Sequence, residues 1–243
     1  PEHNGITYLL ATYAFAFQIY CDFSGYTDIA IGSARLLGVD LMTNFRRPYF
    51  ARNMQEFWHR WHISLSSWLR DYLYIGLGGN RRGRARTARN LLATMLLGGL
   101  WHGAGWTFIL WGAIHGVGLV IERWITQRWL SDAPGRVARL FRSLVTFHLV
   151  CAAWVFFRSV DVERAMEVFA ALGGSWTSAP GVSAAVVLLL LVGLVTQVVT
   201  PGRLDSLWDR AAHLPVVVQA AAITLAILLF DALGPDGVAP FIY

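Results

Sequence analysis

Apolar residues in this chain come in long runs separated by short polar turns, with no strand-like alternation. The clearest runs are Val182 to Val199, which holds no charge, and Leu214 to Phe230, bounded by His213 and Asp231. Less pure stretches run from Ile6 to Tyr20, Leu91 to Trp101, Trp106 to Ile121 and Leu144 to Phe157. Several approach the ~20 apolar residues that a bilayer-spanning helix needs. Lipid offers the backbone no hydrogen bonds, so only helices and closed barrels cross it, and nothing with period 2 supports a barrel. The pattern predicts an all-α, polytopic transmembrane bundle of about five to seven spans.

One region interrupts this pattern. From Arg46 to Leu77, Trp, Tyr and Phe alternate with Arg, Glu, His and Asp, so the segment is no simple span. Phe57, Trp61, Trp68 and Tyr72 recur at helical spacing among charges, which suits an amphipathic helix at the interface or one folded back into a protein-lined cavity. An aromatic belt with solvated arginines would explain most of these residues but not the histidines. Turn signals follow at Gly78-Gly79-Asn80 and Pro134-Gly135, and Gly173 to Gly181 reads as a longer exposed loop. There is no internal repeat, and residues 1–243 read as a single membrane-embedded domain.

Composition sharpens the picture. The chain is 56% hydrophobic and 14% charged, where soluble domains carry roughly a quarter charged residues. All 20 basic residues are Arg. This fits a lipid headgroup surface, although a GC-rich genome explains it more simply. Arg81, Arg82, Arg84, Arg86 and Arg89 crowd one connection, which the positive-inside tendency places on the cytoplasmic side. Cys21 and Cys151 lie in apolar sequence without metal-type spacing and read as buried structural thiols. The chain starts at Pro1 and shows no secretory cleavage pattern, so it is expected to be part of something longer.

Ionisable residues within membrane segments are functional candidates by default, because they persist only when paired or facing a wet cavity. Four places qualify. Asp22 and Asp28 follow an apolar helix directly, and Asp22 is equally explained as the cap of a new helix. In Trp58-His59-Arg60-Trp61-His62, the histidines would be neighbours on one helical face. Such a pair could bind a metal, but no second histidine box accompanies it, and no metal is expected. His102 sits among glycines in Gly98-Gly99-Leu100-Trp101-His102-Gly103-Ala104-Gly105. The glycines are explained by close helix packing, whereas His102 is either a satisfied core histidine or a general base. His115 lies more than three turns further along one helix, so contact with His102 requires a break at the glycines.

No GxSxG, P-loop or GxGxxG motif occurs, which removes the usual supports for a serine hydrolase, an NTPase or a dinucleotide enzyme. The arginine run is better explained by topology than by nucleic acid, and no nucleic-acid partner is expected.

Three ordered strings resemble the membrane-bound O-acyltransferases, and most closely the bacterial branch that acetylates alginate and other exported polysaccharides. They are IYCDFSGYTDIAIGSARLLG (19–38), NFRRPYFARNMQEFWHRWHISLSSWLRDYLYIGLGGNR (44–81) and GLWHGAGWTFILWGAIHGVGLVIER (99–123). Phe156 to Arg158 and the terminal Phe241-Ile242-Tyr243 are also similar. The resemblance implies a multi-pass protein of the bacterial inner membrane whose helical shell surrounds a tunnel. An acyl-CoA donor, acetyl-CoA in this branch, would enter from the cytoplasm, and an SGNH-type extracytoplasmic acyltransferase would pass the acyl group to a glycan. The family's essential histidine falls on His102, as base for the hydroxyl, and its second motif histidine on His62, as an orienting or polarising group. His59, Trp58, Trp61, Ser64, Asp71, Trp101, Asp22 and His115 are the candidate substrate-binding or supporting residues.

Two positions depart from the family pattern. His59 stands where relatives often carry Asn or Arg, and Gly76 where they often carry Pro. The first bears on donor or acceptor contacts near His62, the second on a turn. The resemblance also implies a protein about twice as long, whose N-terminal helices, missing here, would close the tunnel. A proton-coupled transporter or pore using Asp22, Asp28, His102 and His115 is the competing reading, but it calls for inverted repeats that the sequence lacks. A scaffold without activity is the third, and the presence of both motif histidines counts against it.

Overall fold

The computed structural model describes residues 4–129, 135–174, 176, 182–198, 206 and 209–233. Among these the regular elements are helical. In chain order they are α1 (Gly5–Leu36), α2 (Met54–Trp58), α3 (Ile63–Trp68), α4 (Arg84–His102), α5 (Trp106–Trp129), α6 (Arg136–Arg158), α7 (Val162–Leu172), α8 (Ala184–Val198) and α9 (Val216–Leu233). Two compact units divide the chain, Pro1–Gly193 and Leu194–Tyr243. Pro134, 177–181, Val199 and the terminal Phe241-Ile242-Tyr243 lie outside the described residues.

The described residues of all six apolar stretches lie largely in helices, but the lengths differ from expectation. Two helical segments among the described residues are long and apolar enough to cross a membrane, Trp106–Ile125 in α5 and Arg136–Arg158, the whole of α6. The stretches that read most clearly as spans give shorter apolar segments, Val186–Val195 in α8 and Val216–Leu228 in α9. α1 runs the other way. Asn4 caps it, accepting from Thr7 N at 3.2 Å, and the helix continues through Gly25 for 32 residues, roughly 48 Å at 1.5 Å per residue. Asp22 therefore starts no new helix and caps nothing. It sits exposed in mid-helix, as does Cys21, which is not the buried thiol expected, while Cys151 is buried.

In the first unit, α4 and α5 form a tight hairpin, α5 packs on α6, and α1 packs on α6 and α7. Glycine makes the hairpin possible. A Cβ on Gly99 would strike the Phe108 carbonyl oxygen, and one on Gly112 would strike the Met95 carbonyl oxygen, so the two backbones touch where side chains would separate them. The Gly78-Gly79 turn is realised with φ of 107° and 54°. The Asn90 amide, buried in α4, holds it by donating to Leu77 O at 3.1 Å and Gly79 O at 3.0 Å.

Candidate active site

Residues 44–82 form neither a span nor one amphipathic helix. Two short helices, α2 and α3, are separated by a turn at residues 59–62, and a π-helical turn over Leu69–Tyr74 follows. Asn44, which the polar pattern does not single out, organises the turn. Its backbone oxygen accepts from Ile63 N at 3.0 Å, and its Oδ1 accepts from Ser64 N at 3.0 Å and Ser64 Oγ at 2.7 Å. With Arg46 N donating to Arg60 O at 3.0 Å, these bonds hold His62 in the left-handed region at φ 44°, ψ 56°. That conformation costs a non-glycine residue ~1–2 kcal/mol and persists because its surroundings over-determine it.

The break corrects the expectation that His59 and His62 share a helical face. α2 ends at Trp58 and α3 begins at Ile63, leaving His59 exposed and His62 half-buried. The His62 ring meets Phe23 edge-on with centroids 4.6 Å apart, and its Nδ1 lies 3.4 Å from Ser64 Oγ. Burial pushes the His62 imidazole down to about 4, and the nearby His102 adds to the effect. At neutral pH it is uncharged, able to accept a proton or to donate one hydrogen bond.

The segment is pinned to α5 by a contact the sequence does not reveal. Glu122 Oε2 accepts from Met54 N at 2.5 Å and Gln55 N at 3.2 Å, capping α2 from 67 and 68 residues away. Asn53 supplies the ordinary cap, accepting from Glu56 N at 2.6 Å. Glu56 then pairs with Arg52 and Arg60, each four residues away. Burial works against the Glu56 carboxylate, but the Arg52 hydrogen bonds and the neighbouring charges win and hold its pKa below the usual value.

His102 is the last residue of α4, and the chain turns through residues 103–105 before α5. That turn is the break at the glycines that contact with His115 required. Both histidines reach Trp111, with ring centroids at 5.2 Å for His102 and 4.8 Å for His115. His102 also packs edge-on against Trp101 at 5.0 Å and Phe157 at 5.1 Å. His115 is fully buried among Phe57, Trp58 and Trp154, at 5.9, 5.1 and 6.4 Å. Trp61, also buried, stacks on Phe57 at 5.7 Å and meets Trp154 at 5.1 Å.

The structure thus gathers His62, His102, His115, Trp58, Trp61 and Ser64 on or beside one aromatic cluster. Trp101 touches His102 but is 62% exposed. Asp71 points away, exposed and paired with its neighbour Arg70 at 2.7 Å, and Asp22 stands exposed on α1. A cavity of about 310 Å³ opens beside the cluster, lined by Trp58, His59, Ile63, Ser66, Leu69 and Arg123 among others. Among the described residues no three His, Cys, Asp or Glu side chains gather as metal ligands would. What this arrangement can do by itself is move protons and donate hydrogen bonds in apolar surroundings.

Residues 2–160, which contain the whole cluster, match the model of the membrane-bound O-acyltransferase family. The chain belongs to that family. Among curated relatives, it is 51% identical over 170 residues to a probable alginate O-acetylase of Azotobacter vinelandii, covering 69% of this chain and 33% of the relative. It is 44% identical over 168 residues to a peptidoglycan O-acetyltransferase of Helicobacter pylori, covering 68% and 31%. To a teichoic acid D-alanyltransferase of Bacillus subtilis it is 32% identical over 170 residues, covering 64% and 42%. The matched segment is about a third of the length of the acetylases, which are about twice as long as this chain, as the resemblance implied. All three motif strings of the membrane-bound O-acyltransferase resemblance fall inside the matched residues, and α8 and α9 fall outside them.

Proposed function

We propose that the protein transfers a short acyl group, acetyl by branch, from a cytoplasmic thioester donor such as acetyl-CoA towards hydroxyls of an exported polysaccharide or cell-wall glycan. One observation carries this reading: the two motif histidines, from separate elements, sit at two edges of one continuous set of packed rings, His62 on Phe23 and, by way of Phe45, Trp61 and Trp154, His102 on Trp111, near enough for the charge of one to act on the other. His102 takes the proton of the incoming hydroxyl as its oxygen attacks the thioester carbonyl carbon. His62, held uncharged, orients or polarises a reacting group by hydrogen bonding. The carbon–sulfur bond breaks, and the proton on His102 passes to the departing thiolate. Such assistance is typically worth ~10² to 10⁴ in rate, and dry aromatic walls keep water from the thioester.

The setting is a multi-pass protein of the bacterial inner membrane, with residues 1–243 as one membrane-embedded catalytic domain. Apolar helices with exposed Leu, Ile and Val, such as Leu189 at 68% and Val217 at 79%, support burial in lipid. The exposed arginines of residues 81–86 support a cytoplasmic face for the α4 entry. An SGNH-type partner outside the membrane completes transfer to the glycan. The test uses membranes containing the full protein, radiolabelled acetyl-CoA and isolated glycan. Base-labile label on the glycan or on the partner is the expected result. Donor binding with no transfer to any hydroxyl contradicts the reading.

A further inference from the structure

At the centre of the cluster lie polar atoms that the proposed chemistry leaves unused. His115 is fully buried, and neither its Nδ1 nor its Nε2 has a hydrogen-bond partner in the protein. The indole N–H groups of Trp58 and Trp111 are likewise buried and unpartnered. These rings adjoin one another, with centroids 4.8 Å apart for Trp111 and His115, 5.1 Å for Trp58 and His115, and 5.8 Å for Trp58 and Trp111. The Trp154 indole N–H is also buried without a hydrogen-bond partner, but the Tyr49 hydroxyl lies near enough to interact with it. Interiors pair nearly all their buried polar atoms, so four orphaned atoms on three adjoining rings call for a bound group.

The orphaned set also says which kind of group. A neutral imidazole offers one donor and one acceptor, and each indole offers a donor alone. Donors therefore outnumber acceptors three to one, and the complement is an oxygen that accepts more than one hydrogen bond. A carbonyl oxygen has two lone pairs and no hydrogen to place. Water would bring two hydrogens into a site with one free lone pair.

The position fits as well. Trp58 lines the cavity of about 310 Å³ on one side, and Trp111 meets the His102 ring at 5.2 Å on the other. The cage thus lies between a space large enough for a ligand arm and the histidine assigned the proton transfer. We propose that His115, Trp111 and Trp58 hydrogen-bond the carbonyl oxygen of the acyl group while its thioester carrier occupies the cavity. This rests on the acyltransferase reading. Donors fixed on that oxygen hold the acyl carbon in place for the hydroxyl and gain strength as negative charge collects there.

The test is equilibrium binding to the full protein in lipid nanodiscs, comparing acetyl-CoA with S-ethyl-CoA, a thioether that lacks only the carbonyl oxygen. Wild type should prefer the thioester by about tenfold or more, the worth of roughly one net hydrogen bond. His115→Phe and Trp111→Phe keep a ring in place but remove the polar atoms. They should bind the thioether as wild type does and lose most of the preference, and His115→Gln should recover part of it. Should a Phe variant fail to fold, His115→Gln and Trp58→Phe read the same ratio. A wild type that binds both analogues equally, or Phe variants that keep the wild-type ratio, overturns the cage and leaves the acyltransferase reading standing. Binding of neither analogue by wild type removes the donor itself, and both readings fall together.

Discussion

Two regions of the molecule sit at opposite ends of a scale of apolar purity. α8 and α9 are almost entirely aliphatic, with Leu188, Leu189, Val216 and Ile227 exposed, and they lie outside the residues that match the family. The region from residue 44 through α6 is polar, aromatic and irregular, and it holds the histidine cluster. A helix with no polar side chain can satisfy lipid but has nothing with which to bind a substrate or move a proton. Chemistry needs ionisable groups, which survive inside a membrane protein only where other elements surround them. That is why α2, α3 and the turn between them are braced by contacts from Asn44, Arg46 and Glu122.

If the region from 44 through α6 depends on fitted contacts and the C-terminal helices on bulk apolarity, substitutions should separate the two. Gly112→Ala has the largest expected effect, because its methyl would meet the Met95 backbone, which cannot step aside. Despite the gain in helix propensity, a loss of about 3 kcal/mol is expected, at the upper end of overpacking costs, seen as a clear drop in Tm of the purified protein. Glu122→Gln keeps the shape but weakens the cap on α2, and a loss of about 1–2 kcal/mol follows. Its transfer rate should fall with it, since α2 carries Trp58; an unchanged Tm would mean that α2 needs no brace.

A smaller effect concerns pH. The folded protein depresses the His62 pKa from 6.5 to about 4, so between those values the unfolded chain binds the extra proton. The contribution of His62 to stability is therefore fully present above about pH 6.5 and is lost as pH falls towards 4. His62→Asn cannot titrate, and its Tm should decline less over that range; an identical decline in both proteins would contradict the assignment. The smallest effect is expected in the other region. Leu225→Ala in α9, where the side chain is 58% exposed, should change stability by under about 0.5 kcal/mol, and a larger loss would show that α9 is fitted rather than merely apolar.

These differences also explain what could be read in advance. The helices, the Gly78-Gly79 turn and the close glycine packing were legible, because each follows from local pattern. The separation of His59 from His62 was not, because helical spacing assumes a helix, and long-range bonds from Asn44 and Arg46 impose the turn. Glu122 reads as one more charge near the end of an apolar run, and nothing local marks it as a cap for residues 67 and 68 positions away. The continuation of α1 past Asp22 stays open in the sequence, where a cap of a new helix explains Asp22 equally well. Asp, Ser and Gly are poor helix formers, yet the helix runs through them without a break.

In the proposed mechanism, proton transfer at His102 drives acyl transfer. Single-turnover transfer of labelled acetyl from the thioester donor, measured with the full protein in membranes, compares wild type directly with His102→Ala at matched folding and donor affinity. The rate of the variant should fall by ~10² to 10⁴ with donor binding retained. A variant that transfers at the wild-type rate would contradict it.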